Sequence, residues 1–511
     1  MRSVTTNHKF YITTAIDYPN GVPHLGHAFE KTGADCIARY RRLCGDAVQF
    51  VVGMDEHAQK VAQAADEAGV ERHQWIDDTA AEFRNVWREM EISNTDFIRT
   101  TEERHRIAVE EIFRRIQRAG YLTEGVYKGH YCIGCEGYKL DKDLDENGQC
   151  SLHPTRKVTW LEEPNYFFQI GKLRDRLLRL YEDHPDFVQP KPKYNEIVNV
   201  VRDWTEDQTI SVSRARLPWG IPWPDDPDHT VYVWFDALIN YLSATGFPED
   251  RYAETWPADV HVIGPDILRF HAAMWPAMLM AADLPVPTKV WCHGWVKTGG
   301  ERFSKSAGMT VTLREIIDYH GVDALRYFLL REVPWDSDGN FTFERFDVRY
   351  TAELADALGN LVSRVTSMIG RYLDGTVPPA GESELDILAS DVVTAYRAVM
   401  DEHLLHRGAQ EVWRLVDRAN AFVEQQAPWA LAKAGKTREL GDTLGSLART
   451  LARIAILLGP FIPVKSDEIW TALGLEGSAT EASWEAYTDP HVAGSKVQKP
   501  APLFPKSRVD S

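Results

Sequence analysis

Two segments of this chain carry residue types suited to phosphoryl chemistry: His24-Leu25-Gly26-His27, and the loop Lys297-Thr298-Gly299-Gly300-Glu301-Arg302-Phe303-Ser304-Lys305-Ser306. Imidazoles three positions apart fall on one face of an opening helical turn. The N-terminus of a helix offers unpaired N–H groups and a partial positive charge to a phosphate. Placed there, the two rings can donate hydrogen bonds to a phosphoryl group under attack. Gly26 lets a nucleotide approach the backbone closely. The second segment combines glycines, hydroxyls and cations in a loop able to close over a triphosphate as pyrophosphate leaves. Alone, each has a bland explanation, as a helix start with solvent-facing histidines or an exposed basic turn. Together, with a strand–helix–strand unit between them, they predict the two halves of one ATP site that makes an acyl-adenylate.

A third cluster points to a metal. Cys132-Ile133-Gly134-Cys135 is followed, after 14 residues, by Cys150-Ser151-Leu152-His153. Two short-spaced pairs of thiolate and imidazole suit tetrahedral zinc, and four protein ligands leave no open position for chemistry. A structural site is therefore expected, ordering a segment without a large core of its own. Cys36, Cys44 and Cys292 are scattered and read as packing residues.

The elements that must position these groups follow from the hydrophobic pattern. Phe10–Ala15 reads as a strand, Tyr18–Gly21 as a turn, and about His27 to Leu43 as a helix ended by Gly45. A second strand, Ala47 to Gly53, delivers Met54-Asp55-Glu56-His57 at its C-terminal end. This is a βαβ unit, hence a parallel sheet with helices on its faces. Residues 121–220 are punctuated by Gly, Cys and Pro, show few helical patterns, and read as an insertion. Strong α/β signals resume at Val231-Tyr232-Val233-Trp234 and at Val260–Gly264. Beyond about Tyr350 the pattern is helical throughout, a separate bundle. The tail from Gly494 reads as irregular.

Composition limits the classes. A chain of 511 residues with 44% hydrophobic and 26% charged residues supports roughly three soluble domains. No apolar run approaches the roughly 20 residues that span a bilayer, and the first ten residues lack a signal-peptide core, so a cytoplasmic enzyme is expected. The net charge of −18 argues against non-specific nucleic-acid binding but allows a partner gripped locally or by shape.

The histidine pair and the lysine loop resemble the two signatures of class I aminoacyl-tRNA synthetases. The flanking Thr14-Ala15-Ile16-Asp17-Tyr18-Pro19-Asn20-Gly21 and Trp234-Phe235-Asp236-Ala237 look specifically like the methionyl-tRNA synthetase family, over nearly the whole chain. The resemblance implies an α/β fold: a Rossmann-like parallel-sheet catalytic domain with a zinc-knuckle connective insertion, then an α-helical bundle that binds the anticodon. Our expected boundaries are 1–120 and 222–290 for the catalytic halves, 121–221 for the insertion and 291–350 for the lysine loop and link. The bundle would span 351–493 and the tail 494–511.

The resemblance also implies partners: ATP with Mg²⁺, L-methionine and tRNA(Met), charged at its terminal adenosine through the 2′-OH for initiation and elongation of translation. His24, His27 and Lys305 would be catalytic, with Asn20, Gly26, Gly264, Asp266, Arg302, Ser304, Lys305 and Ser306 holding ATP. Arg302 stands where the family usually has lysine, and a guanidinium is not interchangeable with an ammonium. The main catalytic cation is therefore placed on Lys305. Pro265 likewise replaces a lysine common in relatives.

Methionine is flexible and polarizable, so its pocket should offer aromatic contacts to sulfur. By resemblance the pocket is lined by Ile16, Tyr18, Trp234, Ala237, Leu238, Tyr241, Phe270, His271 and Trp275. Asp55, at a strand's C-terminal end where α/β folds bind ligands, would hold the substrate ammonium. In the bundle, Asn360 and Arg364 share one helix face. With Trp429 they offer an amide, a guanidinium and an indole to unpaired bases, and the resemblance assigns them to the anticodon.

Three other classes share part of these features. Synthetases for leucine, isoleucine or valine need an editing domain larger than residues 121–220; one for cysteine also remains a rival. A nucleotidylyltransferase would not need the bundle. A silent RNA-binding paralogue would not need His24, His27 and Lys305. With no dimerisation module after residue 490, a monomer is expected.

Overall fold

The computed structural model describes residues 8–139, 144–150, 153, 158–204, 207–297 and 312–506, and the backbone of 298, 301 and 302. Fifteen short and long strands are described, of which twelve matter here. In chain order they are β1 (Lys9–Thr14), β2 (Ala47–Met54), β3 (Asp96–Arg99), β4 (Leu122–Cys132), β5 (Gly137–Lys139) and β6 (Val158–Phe168). They continue with β7 (Val188–Gln189), β8 (Gln208–Thr209), β9 (Ser211–Ser213), β10 (His229–Val231), β11 (Val260–Ile263) and β12 (Val290–Cys292).

Strands β3-β2-β1-β11-β12-β7 form one sheet in which every pairing is parallel. The sequences explain this. The last five residues of β1, the last five of β2 and all of β11 are buried, as strands covered on both faces must be. β1 has β2 on one side and β11 on the other, so the winding reverses there. At such a switch point a crevice opens outside the strands' C-terminal ends, the usual ligand site of open α/β sheets. The loops after β1, β2 and β11 all leave the sheet at that edge.

The segment 121–221 differs from its reading in two respects. Arg174–Asp183 and Lys191–Arg202 are helices, and β7 between them joins the main sheet next to β12. The first helix, RDRLLRLYED, buries only Leu177 and Tyr181, at i and i+4; its dense charges mask that narrow stripe. Elsewhere the segment forms an antiparallel sheet β5-β4-β6-β8, whose arms pair from Leu122↔Phe168 to Cys132↔Val158. The cysteine cluster sits at the far end of this hairpin. The run Val231–Trp234 also differs: β10 ends at Val231 and a helix spans Val233–Leu238.

From Asn360 the described chain is helical: Asn360–Tyr372, Glu384–Asp401, Leu405–Gln426, Pro428–Lys433, Thr437–Leu458 and Pro463–Ala472. The tail returns to these helices, with Leu503 and Phe504 buried and Tyr350 donating to Pro505 O at 2.7 Å. The bundle is not loosely tethered. Apolar side chains of helix α1 (Leu25–Leu43), the helix Val322–Glu332 and the bundle make one continuous core under a face of the sheet.

A buried cation pins that junction. Arg326 is fully buried and donates to Asp35 Oδ2 at 2.7 Å and to the carbonyls of Met90, Phe461 and Pro460. Burial pushes Asp35 up, but Arg39, Arg326 and the Ser93 donors overrule it and hold the carboxyl at about 2. Replacing the cation leaves buried acceptors without donors. Arg326→Met is expected to cost about 3–5 kcal/mol, read as a fall in thermal midpoint by calorimetry; an unchanged midpoint would refute the pinning role.

Candidate active site

His24 is the N-cap of helix α1, with extended backbone (φ −127°, ψ 174°). Its Nδ1 accepts the N–H groups of Gly26 at 3.1 Å and His27 at 3.4 Å, while His27 Nδ1 accepts the His24 N–H at 3.3 Å. This is a capping box made from two imidazoles. The rings stack with centroids 3.7 Å apart and planes 10° from parallel. The hydrogen bonds fix the tautomer: with both Nδ1 atoms accepting, neutral rings carry their protons on Nε2. Each ring thus presents an N–H donor away from its own backbone. Gly26 has a further reason to be glycine, since a Cβ there would sit 3.0 Å from His24 Cε1.

Beneath this turn lies a buried charge cluster that sequence reasoning missed. Lys31 donates to Asp17 Oδ1 at 2.7 Å, Glu30 Oε1 at 2.8 Å and Ala15 O at 3.0 Å. His293 meets the other Glu30 oxygen at 3.3 Å. Burial pushes Asp17 up to about 7, against the pull of Lys31. Asp17 also lies 3.8 Å from His27 Nε2. The available signal was the charged pair Glu30-Lys31 inside an otherwise buried helix.

The loops after β2 and β11 complete the crevice. Asp55 is buried, and its Oδ1 has no hydrogen-bond partner among the described residues. Burial, then the nearby Asp236, push its carboxyl well above the usual range. Gly264 is buried between β11 and the short turn Pro265–Ile267, and Asp266 and Asn20 are exposed.

Aromatic residues from three segments meet beside Asp55. Trp234 stacks on Phe270 at 3.9 Å with the ring planes nearly parallel, and meets Tyr18 edge-on at 6.4 Å. Tyr241 donates to His271 Nε2 at 2.6 Å, and His271 Nδ1 donates to Ile267 O at 3.0 Å. Burial depresses His271 to about 4, so the ring is neutral at pH 7. Trp275 donates to His261 Nε2 at 3.2 Å. Ala237, Leu238 and Trp275 are buried, and Ile16 packs toward Gly53.

The cysteine cluster is compact and touches this wall. Ligand atoms of Cys132, Cys135, Cys150 and His153 lie within 4.8 Å of one another. Cys135 Sγ is 3.5 Å from Cys150 Sγ and 3.2 Å from His153 Nδ1. Tetrahedral zinc with bonds near 2.3 Å to sulfur needs edges of about 3.5–3.8 Å, whereas a disulfide needs about 2.05 Å. The donor set fits a metal. Trp234 Nε1 donates to Cys135 O at 3.2 Å and Tyr232 to Glu136 O at 2.6 Å, seating the knuckle against the aromatic wall.

In the bundle, Arg364 lies 5.9 Å from the Trp429 ring and pairs with Glu424 at 2.5 Å. Trp429 is 42% exposed, unusual for tryptophan, and Asn360 is also exposed. Ser304, Lys305 and Ser306 lie outside the described residues. Of Arg302 only the backbone is described, paired with Lys297 in a short hairpin.

Comparison with known proteins settles the family. The family described as "tRNA synthetases class I (M)" matches residues 10–153 and 137–366, and "Anticodon binding domain of methionyl tRNA ligase" matches 374–510. The chain belongs to the methionyl-tRNA synthetase family. Methionine–tRNA ligase of Thermotoga maritima is 38% identical over 98% of this chain and 80% of its own. That of Streptomyces coelicolor is 40% identical over 97% of this chain and 96% of its own. The structure of Mycobacterium tuberculosis methionyl-tRNA synthetase in complex with methionyl-adenylate superposes with a TM-score of 0.93 at 36% identity, covering 98% of this chain and all of that one. The α/β core with a helical anticodon-binding domain, expected from sequence, is therefore this family's architecture. Among the described residues no helix is long and apolar enough to cross a membrane.

Proposed function

We infer that this methionyl-tRNA synthetase family member activates L-methionine with ATP and charges tRNA(Met) through the residues gathered at the switch point. The observation that carries the residue-level reading is the orphaned, buried Asp55 Oδ1. Burial raises the hydroxyls of Tyr18 and Tyr241, and the Asp55 charge is close enough to raise both further. A buried carboxylate oxygen without a hydrogen-bond partner is costly unless a donor arrives; His57 and Lys60 act on Asp55 only through space, and the substrate's α-ammonium would supply the missing donor. The thioether then lies among Tyr18, Trp234, Tyr241, Phe270 and His271, with Ile16, Ala237, Leu238 and Trp275 closing the pocket.

The methionine carboxylate oxygen attacks the α-phosphorus of ATP, the bond to the bridging oxygen breaks, and pyrophosphate departs. Nε2–H donors of His24 and His27 stabilise charge on the phosphoryl oxygens, and Lys305 supports the leaving group. Asn20, Gly26, Gly264, Asp266, Arg302, Ser304 and Ser306 cradle the nucleotide, which enters as its Mg²⁺ complex. No protein nucleophile is needed, because positioning and electrostatics suffice. In the second step the 2′-OH of the terminal adenosine attacks the adenylate carbonyl and AMP leaves. Asn360, Arg364 and Trp429 read the anticodon. We place the enzyme in the cytoplasm as a monomer, in the division 1–120, 121–221, 222–290, 291–350, 351–493 and 494–511, with β7 of the second segment and the whole of β12 counted in the catalytic sheet.

The test is ATP–pyrophosphate exchange across a panel of amino acids, followed by tRNA charging. Methionine-dependent exchange and charging of tRNA(Met) are expected; exchange driven by a different amino acid would overturn the reading.

Cys132, Cys135, Cys150 and His153 would hold a structural Zn²⁺, which cross-links the hairpin end. Cys135→Ser is expected to release close to one equivalent of zinc and to raise protease sensitivity at the hairpin tip. Unchanged metal content by elemental analysis would reject the site.

A further inference from the structure

Behind the aromatic wall, a bridge of buried ionisable groups ties together elements that the reaction scheme uses only in part. Asp236 is fully buried on the helix Val233–Leu238. Its Oδ2 meets His57 Nδ1 at 2.6 Å and its Oδ1 meets His105 Nε2 at 2.6 Å. An ionised carboxylate only accepts, so both imidazoles direct an N–H at it. His105, fully buried on the helix Glu103–Arg118, reaches Ser243 Oγ through Nδ1 at 2.9 Å. That hydroxyl in turn donates to Ile239 O at 2.9 Å.

The connectivity gives the bridge its meaning. His57 stands two residues beyond Asp55, while Asp236 stands between Trp234 and Ala237. The bridge therefore clamps the end of β2, which carries the ammonium-binding group, to the helix that carries one side of the thioether pocket. It anchors both on a third element, the helix Glu103–Arg118.

We propose that Asp236, with His57 and His105, is a positioning unit that fixes Asp55 relative to the Trp234–Leu238 wall and thereby sets affinity for the amino acid. This rests on the reading that Asp55 takes the substrate ammonium. Electrostatics point the same way. Burial pushes Asp236 up, but His57 and His105 overrule it and hold the carboxyl at about 2. The charge on Asp236 raises Asp55, and His57 opposes that effect. The imidazoles thus let two buried carboxylates coexist beside one ligand site.

The test is Asp236→Asn. An amide offers one acceptor and one donor group, so one of the two imidazole N–H groups loses its partner. The methionine KM should rise about tenfold or more, with the ATP KM and kcat within about threefold. Methionine Kd by calorimetry should move in parallel. Equal shifts in both KM values, or no shift, would overturn the proposal. A residue that merely holds the fold would lower the thermal midpoint and affect both substrates alike.

Should Asp236→Asn not fold, the pair His105→Gln and His105→Leu decides. Glutamine can restore an N–H to Asp236 and should stay near the parent, whereas leucine should reproduce the methionine-specific loss. The milder Ser243→Ala removes only the orienting hydroxyl and should raise the methionine KM severalfold; unaltered values in all three would reject the bridge. Asp55→Asn separates the two readings. If it leaves methionine binding intact, the ammonium assignment fails; if it abolishes binding while the bridge variants are silent, only the positioning unit fails.

Discussion

His27→Ala is expected to slow ATP–pyrophosphate exchange about 100- to 1,000-fold, the usual cost of losing one donor aimed at developing charge. The ring does two jobs, and two variants separate them. Its Nδ1 accepts the His24 N–H, and its face stacks on His24 at 3.7 Å. Alanine removes both the cap and the donor, and a lost cap alone costs about 1 kcal/mol of stability. Glutamine at the third helical position can still accept the N-cap N–H, as capping boxes commonly do. His27→Gln should therefore recover the thermal midpoint without recovering the exchange rate. Recovery of the rate along with stability would show that the histidine serves the helix and not the phosphoryl group.

Asp55→Asn should raise the methionine KM by about 30- to 5,000-fold, the range for removing one partner of a buried, hydrogen-bonded charge pair. The ATP KM should change little. The parent's pH profile supplies a second signature. Burial and then Asp236 push the Asp55 carboxyl well upward. A raised carboxyl is protonated on the acid side, where it cannot pair with an ammonium. Methionine kcat/KM should thus fall with decreasing pH at a point well above the ordinary carboxylate range. That acid limb should vanish in Asp55→Asn. A limb that persists unchanged would assign the titration to another group.

The parts legible in the sequence share a property: each is fixed by neighbours a few residues away. His24 and His27 make a capping box from one turn of helix, and the ligand atoms of the cysteine–histidine pairs are brought within 4.8 Å of one another by loop geometry. The βαβ unit showed in its apolar runs. What stayed hidden was decided at long range. His105 reads as one more polar residue on a charged helix, yet it is fully buried and meets a carboxylate 131 positions away. Strand β7 has two residues, too few for any period to show. The run Val231–Trp234 is apolar enough for a strand or a buried helix, and such runs are ambiguous by pattern alone. Lys31 and Glu30 sit where a helix pattern asks for apolar residues, and only the fold shows that they neutralise each other.

The apolar mass shared by the sheet and the helical bundle has a consequence for anyone who would take this molecule apart. Phe10 and Ile12 of β1 belong to the same cluster as Leu451 and Leu458 of the bundle. A chain cut near residue 350 would leave each fragment with a wet hydrophobic scar, a patch of the kind that drives aggregation. Transplanting the bundle onto a foreign catalytic body would require rebuilding that surface first. The reader of the anticodon and the maker of the adenylate are, mechanically, one part.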